Sequence, residues 1–267
     1  MSTTSPEIHK IQQLAFTSFG LDLRSGKEEL IRARLGKLMR RHNLASVKDY
    51  YTFVTADNSG EALAEMIDAL TTNYTGFFRE SAHFDLLRTT ILPQMKDKKI
   101  RIWSAACSSG EEPYSIAFSL RDAGFTPDSA QVIATDISNR VLHKARMAVY
   151  QEEDLNAFSD QLRQRYFLRG SGARAGWFKV KPEFCDFVQF ENQNLIQPIQ
   201  VRGTFDVIFC RNVMIYFSRE TQQKVISNLQ KKLNRGGYLM IGHSETLSNI
   251  QHSLKYISPA VYRSVLS

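Results

Sequence analysis

The stretch Phe205-Asp-Val-Ile-Phe-Cys-Arg-Asn-Val-Met-Ile-Tyr216 predicts a buried strand that ends in a polar turn. Its apolar run, Phe205 to Cys210, is the strand, and Arg211-Asn212 forms the turn. Ser218 is placed to cap the helix that follows. Open α/β sheets build their ligand sites from such turns, at the carboxyl ends of buried strands. The stretch therefore predicts an α/β fold with a site at this turn.

A second stretch, Ile100-Arg-Ile-Trp-Ser-Ala-Ala-Cys-Ser-Ser-Gly-Glu-Glu-Pro-Tyr114, has the same design. A strand leads into a loop of small residues and then into a helix that opens at Glu111-Glu112-Pro113. The loop lacks the glycine pattern of dinucleotide-binding folds and the lysine of a P-loop. Small residues let a ligand approach the backbone, so a nucleotide-like cofactor and a plain tight connection both remain open.

The chain from about residue 80 onward alternates strands and helices, which is typical of a mostly parallel sheet covered on both faces. We predict strands at 100–105, 131–135, 187–190, 205–210 and 237–241, and helices near 81–96, 112–123, 138–147 and 219–233. Lys255 to Val265 predicts an antiparallel hairpin at the sheet edge. Short alternating segments around the glycine-rich turn Gly170–Gly176 predict a small β-insert at about 166–190.

Residues 5 to about 70 have helical periodicity instead. Ser5 with Pro6 predicts the first helix start, and Ser25 with Glu28 a capping box for the second. The turn-rich segment Thr71–Gly76 suggests a connector. We therefore expect a helical domain over 1–72 and an α/β domain over 73–267.

Composition is that of an ordinary globular protein, with 43% apolar and 23% charged residues among 267. The sequence shows neither a membrane-spanning apolar run nor a signal peptide. Three scattered cysteines exclude a disulfide framework and a zinc motif, and they favour a reducing cytoplasm. The net charge of +7 suggests an acidic partner: nucleic acid, an anionic surface or an acidic protein. It is concentrated on a predicted helix at 27–42, whose basic arc comprises Arg34, Lys37, Arg40 and Arg41.

Five motifs, "TTNYTGFFRE", "SAACSSGEEPYS", "ATDIS", "FCRNVMIYF" and "GHSE", together resemble the chemotaxis receptor methyltransferases, the CheR family. The resemblance covers nearly the whole chain. It implies an all-helical domain followed by a Rossmann-like, class I S-adenosylmethionine-dependent methyltransferase domain with an inserted antiparallel β-subdomain. It also implies methyl transfer from S-adenosylmethionine to receptor glutamates, which gives glutamyl methyl esters and S-adenosylhomocysteine.

The resemblance also assigns roles to individual residues. It places Arg79 and Tyr216 at the reaction centre. Residues implied at the cofactor are Asn73, Thr75, Arg79, Glu112, Asp136, Asn194, Leu195, Arg211 and Asn212. The resemblance also places Gly170, Gly172 and Gly176 in an insert where part of the family docks a receptor C-terminal tail. Because methylatable receptor helices are rich in glutamate, the complementary basic residues Arg34, Lys37, Arg40 and Arg41 are expected to contact the receptor as well. A monomer acting on the cytoplasmic helical domains of chemoreceptors is expected, without a metal, nucleic acid or membrane insertion.

Most of these residues have a structural alternative when they are considered without the resemblance. Glu112 has the position of an exposed first-turn glutamate. Asp136 ends the second strand, where an acidic residue is placed to accept the hydroxyls of a cofactor ribose, and its alternative is a helix N-cap. Asn194 has the character of a turn residue, Arg79 of a surface arginine, and Phe77 and Phe78 of core residues. His243 either borders the site or supports a turn. The basic arc is also consistent with a solvated helix face, and the insert glycines with a tight turn.

Two other functions remain open from the sequence. The positive charge also fits a nucleic-acid methyltransferase, although the turn after the fourth strand is Arg-Asn-Val-Met-Ile-Tyr rather than the Asn/Asp-Pro-Pro-Tyr that amino-methylases of bases commonly carry. A non-catalytic adaptor that senses cofactor is the other alternative, and the presence of Arg79, Asp136 and Tyr216 argues against it.

Overall fold

The chain folds into two compact units, seen in a computed structural model that describes residues 5–23, 28–71, 75–96 and 98–265. The first unit comprises Met1–Tyr74 and Ile215–Lys224. The second comprises Thr75–Met214 and Val225–Ser267. The short segment at 215–224 therefore belongs with the helical unit, although it follows a strand of the α/β unit.

The first unit is helical, as the periodicity predicts. Its helices are α1 (Pro6–Phe19), α2 (Glu28–Arg41), α3 (Val47–Ala56) and α4 (Glu61–Leu70). The Ser5 side chain caps α1 by accepting from the Ile8 amide, with Pro6 at the first helical position, so this prediction is confirmed. Ser25 of the predicted capping box lies outside the described residues. One apolar core joins the four helices through Ile11, Leu35, Tyr50 and Met66.

The second unit is built on strands. Those of the described residues are β1 (Ile100–Ala105), β2 (Ala130–Asp136), β3 (Val149–Gln151), β4 (Phe167–Arg169), β5 (Trp177–Val180), β6 (Val188–Asn192), β7 (Phe205–Cys210), β8 (Leu233–Ile241), β9 (Leu254–Ser258) and β10 (Val261–Ser264). Seven of them form a sheet in the order β6-β2-β1-β7-β8-β10-β9. The first five of this order run parallel, and β10 is antiparallel to both neighbours. The predicted α/β class and the edge hairpin are confirmed.

The further helices of the described residues are α5 (Ala82–Leu86), α6 (Glu111–Asp122), α7 (Asn139–Met147), α8 (Asp160–Tyr166), α9 (Pro182–Cys185) and α10 (Arg219–Gln230). The helices predicted near 112–123, 138–147 and 219–233 are α6, α7 and α10, whereas α8 and α9 were not predicted. The first residues of α10, up to Lys224, belong to the first unit. The Ser218 hydroxyl accepts from the Thr221 amide at 3.2 Å, as expected of a cap. Within these described residues, no helix is both long and apolar enough to cross a membrane.

The single helix predicted near 81–96 is instead broken. After α5 the chain forms a π-helical turn over Leu87–Ile91 and a 3-10 turn over Leu92–Met95. Pro93 explains the change, because it lacks an amide hydrogen and its ring collides with the carbonyl four residues earlier in a regular α-helix.

The β-insert differs in extent from the prediction of 166–190. Its three-stranded antiparallel sheet has the order β3-β5-β4, so it begins at Val149. The strand Val188–Asn192, whose first residues fall within that range, pairs with β2 in the main sheet, as the separate prediction of a strand at 187–190 held. The first strand was missed because three residues directly after a helix carry no readable alternation.

A cluster of aromatic rings packs against the strands of the insert. Phe77 is buried, and its ring meets those of Tyr150, Phe158 and Phe167 edge-on, with centroids 4.8 to 5.4 Å apart. Such geometry suits the quadrupoles of aromatic rings. The interpretation of Phe77 as a core residue is therefore correct.

Candidate active site

A buried arginine connects the loops at the carboxyl ends of β1 and β7. The Arg211 side chain is only 3% exposed. Its Nη1 donates to Glu112 Oε2 at 2.8 Å, and its Nη2 donates to Glu80 Oε2 at 3.0 Å and to the backbone carbonyl of Arg79. Ser104 at the end of β1 donates to the other oxygen of Glu112 at 2.7 Å. Residues 79, 80, 112 and 211 are thereby held as one network.

Glu112 is therefore not the exposed first-turn glutamate of the structural alternative. It is 13% exposed and lies at the start of α6, where the helix dipole favours a carboxylate. The guanidinium of Arg211 supplies the charge-assisted hydrogen bond that makes its burial tolerable.

Glu80 ties the segment after residue 75 to two loops of the sheet. One oxygen accepts from Asn212 Nδ2 at 3.1 Å, and the other from Arg211 and from the His243 amide at 3.1 Å. Burial alone raises the pKa of Glu80, but the Asn212 hydrogen bond and the charge of Arg211 outweigh burial and lower that pKa. Glu80 is therefore an anion at neutral pH, and its charge offsets that of Arg211.

Several non-glycine residues around this network have left-handed backbone conformations. Phe78, Glu80 and Asn212 have φ between 51° and 56°. Ala106 and Ser108 in the loop after β1 have φ of 72° and 49°. Residues of this kind tend to cluster at functional sites, because surrounding contacts must offset a local cost of about 1–3 kcal/mol each.

Asp136 lies at the carboxyl end of β2, next to the small-residue loop. Its two carboxylate oxygens accept the amides of Ser108 at 2.9 Å and Ser138 at 3.0 Å. The N-cap of α7 is Ser138, whose hydroxyl accepts from the Val141 amide. The alternative that Asp136 is the cap is thus wrong, and Asp136 instead joins the ends of β1 and β2.

The loop after β1 packs closely against α7 and β3 at Gly110. A Cβ on Gly110, whose φ is +100°, would lie 2.9 Å from the Tyr150 hydroxyl and 3.0 Å from Ala145 Cβ. The Tyr150 hydroxyl donates to the Ser109 carbonyl at 2.9 Å. Next in the chain, Glu111 accepts from the Ser109 hydroxyl, and burial raises the pKa of Glu111 to about 7.

Asn194 has a turn role in the structure. Its side-chain oxygen accepts from the Ile196 amide at 3.1 Å, and its carbonyl accepts from Gln193 Nε2 at 2.7 Å. Leu195 beside it is buried. The segment follows β6, which pairs with β2, so both residues lie at the same edge of the sheet as Asp136.

Two histidines and Glu80 form a cluster with the ligand types of a metal site. One ligand atom from each of Glu80, His83 and His243 lies within 4.8 Å of the others. Glu80 already accepts from Arg211, whose guanidinium opposes a second cation there. Burial and the charge of Arg211 lower the pKa of His83 to about 4, so its ring is neutral at neutral pH. His243 thus borders the network, as one of its two interpretations held.

Three further candidate residues from the sequence are Asn73, Thr75 and Tyr216. Thr75 precedes the Glu80 segment, while Asn73 lies outside the described residues. Tyr216 belongs to the helical unit, where its carbonyl accepts from the Asp22 amide at 2.7 Å. Its placement opposite Arg79 stays a prediction.

The basic face of α2 is partly engaged within its own unit. Arg34 donates to the Leu70 carbonyl at 2.5 Å, and Arg41 pairs with Glu65. Lys37 and Arg40 are exposed.

The insert glycines shape the turn between β4 and β5. Gly172 and Gly176 have φ of 57° and 84°. A Cβ on Gly170 would lie 2.1 Å from the Arg174 carbonyl oxygen. This geometry agrees with the tight-turn interpretation of all three glycines.

Two glutamates of this region were missed in the sequence. Glu80 and Glu245 both lie inside the quoted motifs, but nothing local distinguishes them from surface glutamates. Their partners are distant in sequence, as Arg211 and Asn212 are from Glu80.

The comparisons with known proteins agree with this architecture. The model of the CheR methyltransferase all-alpha domain matches residues 6–71, and that of the CheR methyltransferase SAM binding domain matches residues 73–262. A chemotaxis protein methyltransferase of Salmonella typhimurium is 38% identical over 98% of this chain and 91% of its own length. Similar proteins of the same name from Escherichia coli and Borreliella burgdorferi are 37% and 36% identical, over 98% of this chain in both cases and 92% and 95% of their own lengths. The chain therefore belongs to the CheR family of S-adenosylmethionine-binding chemotaxis methyltransferases.

Proposed function

We propose that this protein transfers the methyl group of S-adenosylmethionine to glutamate side chains of chemoreceptors, giving glutamyl methyl esters and S-adenosylhomocysteine. The observation that carries the proposal is the Arg211 network. It links the main chain of Arg79, proposed at the reaction centre, to Glu112, proposed at the cofactor.

The residues present suit such a cofactor. The region holds the carboxylates of Glu80, Glu112 and Asp136, and one guanidinium, that of Arg211, pairs with the first two. A site with an acidic excess favours a ligand that carries sulfonium and ammonium charges. Asp136, at the end of the second strand of the fold, is positioned as the residue that accepts ribose hydroxyls in nucleotide-binding α/β proteins. We assign cofactor contacts to Asn73, Thr75, Arg79, Glu112, Asp136, Asn194, Leu195, Arg211 and Asn212.

The arrangement of Arg211 and Asn212 limits how they contact the cofactor. Their side chains donate to Glu80 and Glu112. We therefore propose that this turn contributes mainly by its backbone and by holding Glu112 and Glu80 in place.

The proposed reaction needs orientation more than proton transfer. A glutamate side chain has an ordinary pKa of about 4.3, so it reaches the site as an anionic nucleophile. When bound, the cofactor supplies an already activated methyl group. Placing the carboxylate in line with that methyl group is a positional task that contributes about 7–11 kcal/mol to lowering a barrier. We assign the orientation of the carboxylate to Arg79, and support of Arg79 or the substrate to Tyr216.

Two surfaces are proposed to recognise the receptor. The exposed Lys37 and Arg40 on α2, with Arg34 and Arg41 beside them, complement glutamate-rich receptor helices. The insert is proposed to bind a receptor C-terminal tail. A cytoplasmic monomer that acts without a metal or nucleic acid completes the proposal.

Mass spectrometry of receptor fragments tests the function directly. After incubation with the enzyme and labelled S-adenosylmethionine, we expect label on glutamate side chains and none on RNA offered in parallel. Label on RNA alone indicates the nucleic-acid methyltransferase, and cofactor binding without turnover indicates the adaptor.

The roles of Arg79 and Tyr216 are tested by Arg79→Ala and Tyr216→Phe. Both are expected to lower kcat by about 10-fold or more while changing cofactor affinity less, because their proposed interactions strengthen in the transition state. Near wild-type turnover in either variant removes that residue from the reaction centre.

A further inference from the structure

Glu245 joins the loops that follow β7 and β8 through one carboxylate. Its Oε1 accepts from the Met214 amide at 2.8 Å. Its Oε2 accepts from the Asn212 amide at 3.1 Å and from the Gly242 amide at 2.6 Å. A single side chain thus accepts three backbone amides from two loops.

None of these amides lies in a strand: Asn212 and Gly242 belong to loops, and Met214 is the first residue of a 3-10 turn. The residues after β7 leave the ladder at Cys210, and Asn212 has a left-handed φ of 56°. Buried amides outside a ladder need other acceptors, and a carboxylate is a strong one. Glu245 therefore offsets the local cost of the conformation that this turn adopts.

The two loops are also in close contact at Gly242. A Cβ there would lie 2.5 Å from Asn212 Nδ2 and 2.9 Å from the Asn212 backbone nitrogen. The loop after β8 is thus in direct contact with the turn, and Glu245 acts at short range.

The turn that Glu245 holds is the one that carries the site network. Asn212 and Arg211 donate to Glu80, and Arg211 also donates to the Arg79 carbonyl. A shift of the turn therefore displaces the main chain of Arg79.

We propose that Glu245 is a positioning residue for methyl transfer, which fixes the turn after β7 and, through it, Arg79. This inference rests on the proposed function for its kinetic consequence, but its structural consequence is independent of any acceptor.

The substitution Glu245→Gln tests it with little change of shape. Whichever way the amide is oriented, at least one backbone N–H then faces an NH2 group instead of an oxygen. Glu183→Gln, at an exposed position of α9 in the same unit, is the matched control. We expect kcat for receptor methylation to fall by about 10–100-fold, which corresponds to the loss of one charge-assisted hydrogen bond. The Kd for S-adenosylhomocysteine should rise by a smaller factor than kcat falls, because the turn supplies only part of the proposed cofactor contacts, whereas Arg79 is proposed at the reaction centre.

Amide hydrogen exchange supplies the second readout. Protection at Asn212 and Met214 should fall by about 10-fold or more in Glu245→Gln and stay unchanged in the control. Unchanged protection, or an unchanged kcat in the folded variant, overturns the proposal.

If the wild-type enzyme methylates no receptor, the proposed function fails, and the exchange result alone then decides the role of Glu245. Should Glu245→Gln not fold, Glu245→Asp is measured in the same way, since its shorter side chain cannot reach all three amides.

Discussion

Arg211 is a charged residue whose side chain is almost fully buried. Removing an ion from water costs several kcal/mol, which only well-placed partners offset. Glu80 and Glu112 provide them from two different segments of the chain. Loss of either glutamate leaves the buried charge of Arg211 with one partner fewer. Each glutamate therefore both stabilises the folded site and holds Arg211 in its position.

Asp136 gives the first prediction at the residue scale. Asp136→Asn keeps the shape but removes the charge that we assign to the ribose hydroxyls. We expect S-adenosylhomocysteine affinity to fall by about 2–3 kcal/mol, measured by calorimetry. Asp160→Asn, at a residue whose side chain is 95% exposed, is the control. Unchanged affinity in a folded Asp136→Asn variant rejects the ribose assignment.

Glu111 gives a second prediction, on pH dependence. Burial raises its pKa to about 7, so between pH 4.5 and 7 the folded state binds a proton that the unfolded state releases. This contribution to stability is complete below the unfolded pKa and is lost as pH rises through 7. His83 has the opposite dependence, because burial lowers its pKa to about 4 and its contribution grows between pH 4 and 6.5. The two contributions partly cancel in the wild-type protein.

The substitution Glu111→Gln separates them. The free energy of unfolding of the variant minus that of the wild type should rise from pH 5 to pH 8, by about 3 kcal/mol at most. Urea unfolding at several pH values measures this difference. A difference that is flat across that range contradicts a pKa near 7 for Glu111.

At the scale of elements, the sequence predicts best where a periodic pattern is long. The strands β1 and β7 have the predicted bounds, and α1 begins at its predicted cap. The broken helix at 82–95 and the early start of the insert were not predicted, because the first depends on one proline and the second on a three-residue strand.

From the sequence, a candidate site residue can be recognised only where it lies at the end of a predicted strand or helix. Asp136 is identifiable because it ends a strand. Glu80 and Glu245 are not, because their roles depend on loops that the fold brings together from positions 131 and 33 residues away.

The basic face of α2 gives the third prediction. Arg34 and Arg41 already have partners in their own unit, so Lys37 and Arg40 are the better sites for charge reversal. Replacing both with glutamate should raise the receptor KM several-fold and leave S-adenosylhomocysteine binding unchanged, and the wild-type rate should fall with salt. Lys48→Glu, on α3, is the matched control. A KM that matches the control, with a salt-insensitive rate, supports the interpretation as a solvated face.

At the scale of the whole molecule, the two units divide the proposed work. The helical unit carries the excess of basic charge on α2, while the α/β unit holds the acidic site network and the insert. Tethering to a receptor tail would raise the local concentration of methylation sites without a new contact at the site itself.

The insert has a free strand edge for such a tail. Its strand order leaves one side of β4 unpaired within the sheet. The Gly170 amide donates to the Trp177 carbonyl, and N–H groups alternate along a strand, so the Arg169 amide points away from β5. Beside this edge is a cavity of about 630 Å³, lined by Glu152, Asp160, Arg163, Gln164, Phe167, Leu168, Arg169, Phe178 and Lys181. Arg163 pairs with the two carboxylates of this lining, Glu152 and Asp160, while the apolar rings with Arg169 and Lys181 suit an aromatic or acidic tail side chain.

The fourth prediction follows from that edge. Arg169→Pro removes the outward amide while sparing the bonds to β5, so we expect it to abolish binding of a receptor-tail peptide and to leave methylation of a tailless receptor fragment unchanged. Arg169→Ala keeps the amide and is the matched control, expected to bind with at most about 10-fold lower affinity if the main chain carries recognition. Equal loss in both variants assigns recognition to the Arg169 side chain. Tail peptides that bind neither variant nor the wild-type enzyme show that the glycines of this hairpin serve its turn and that the insert is no tether.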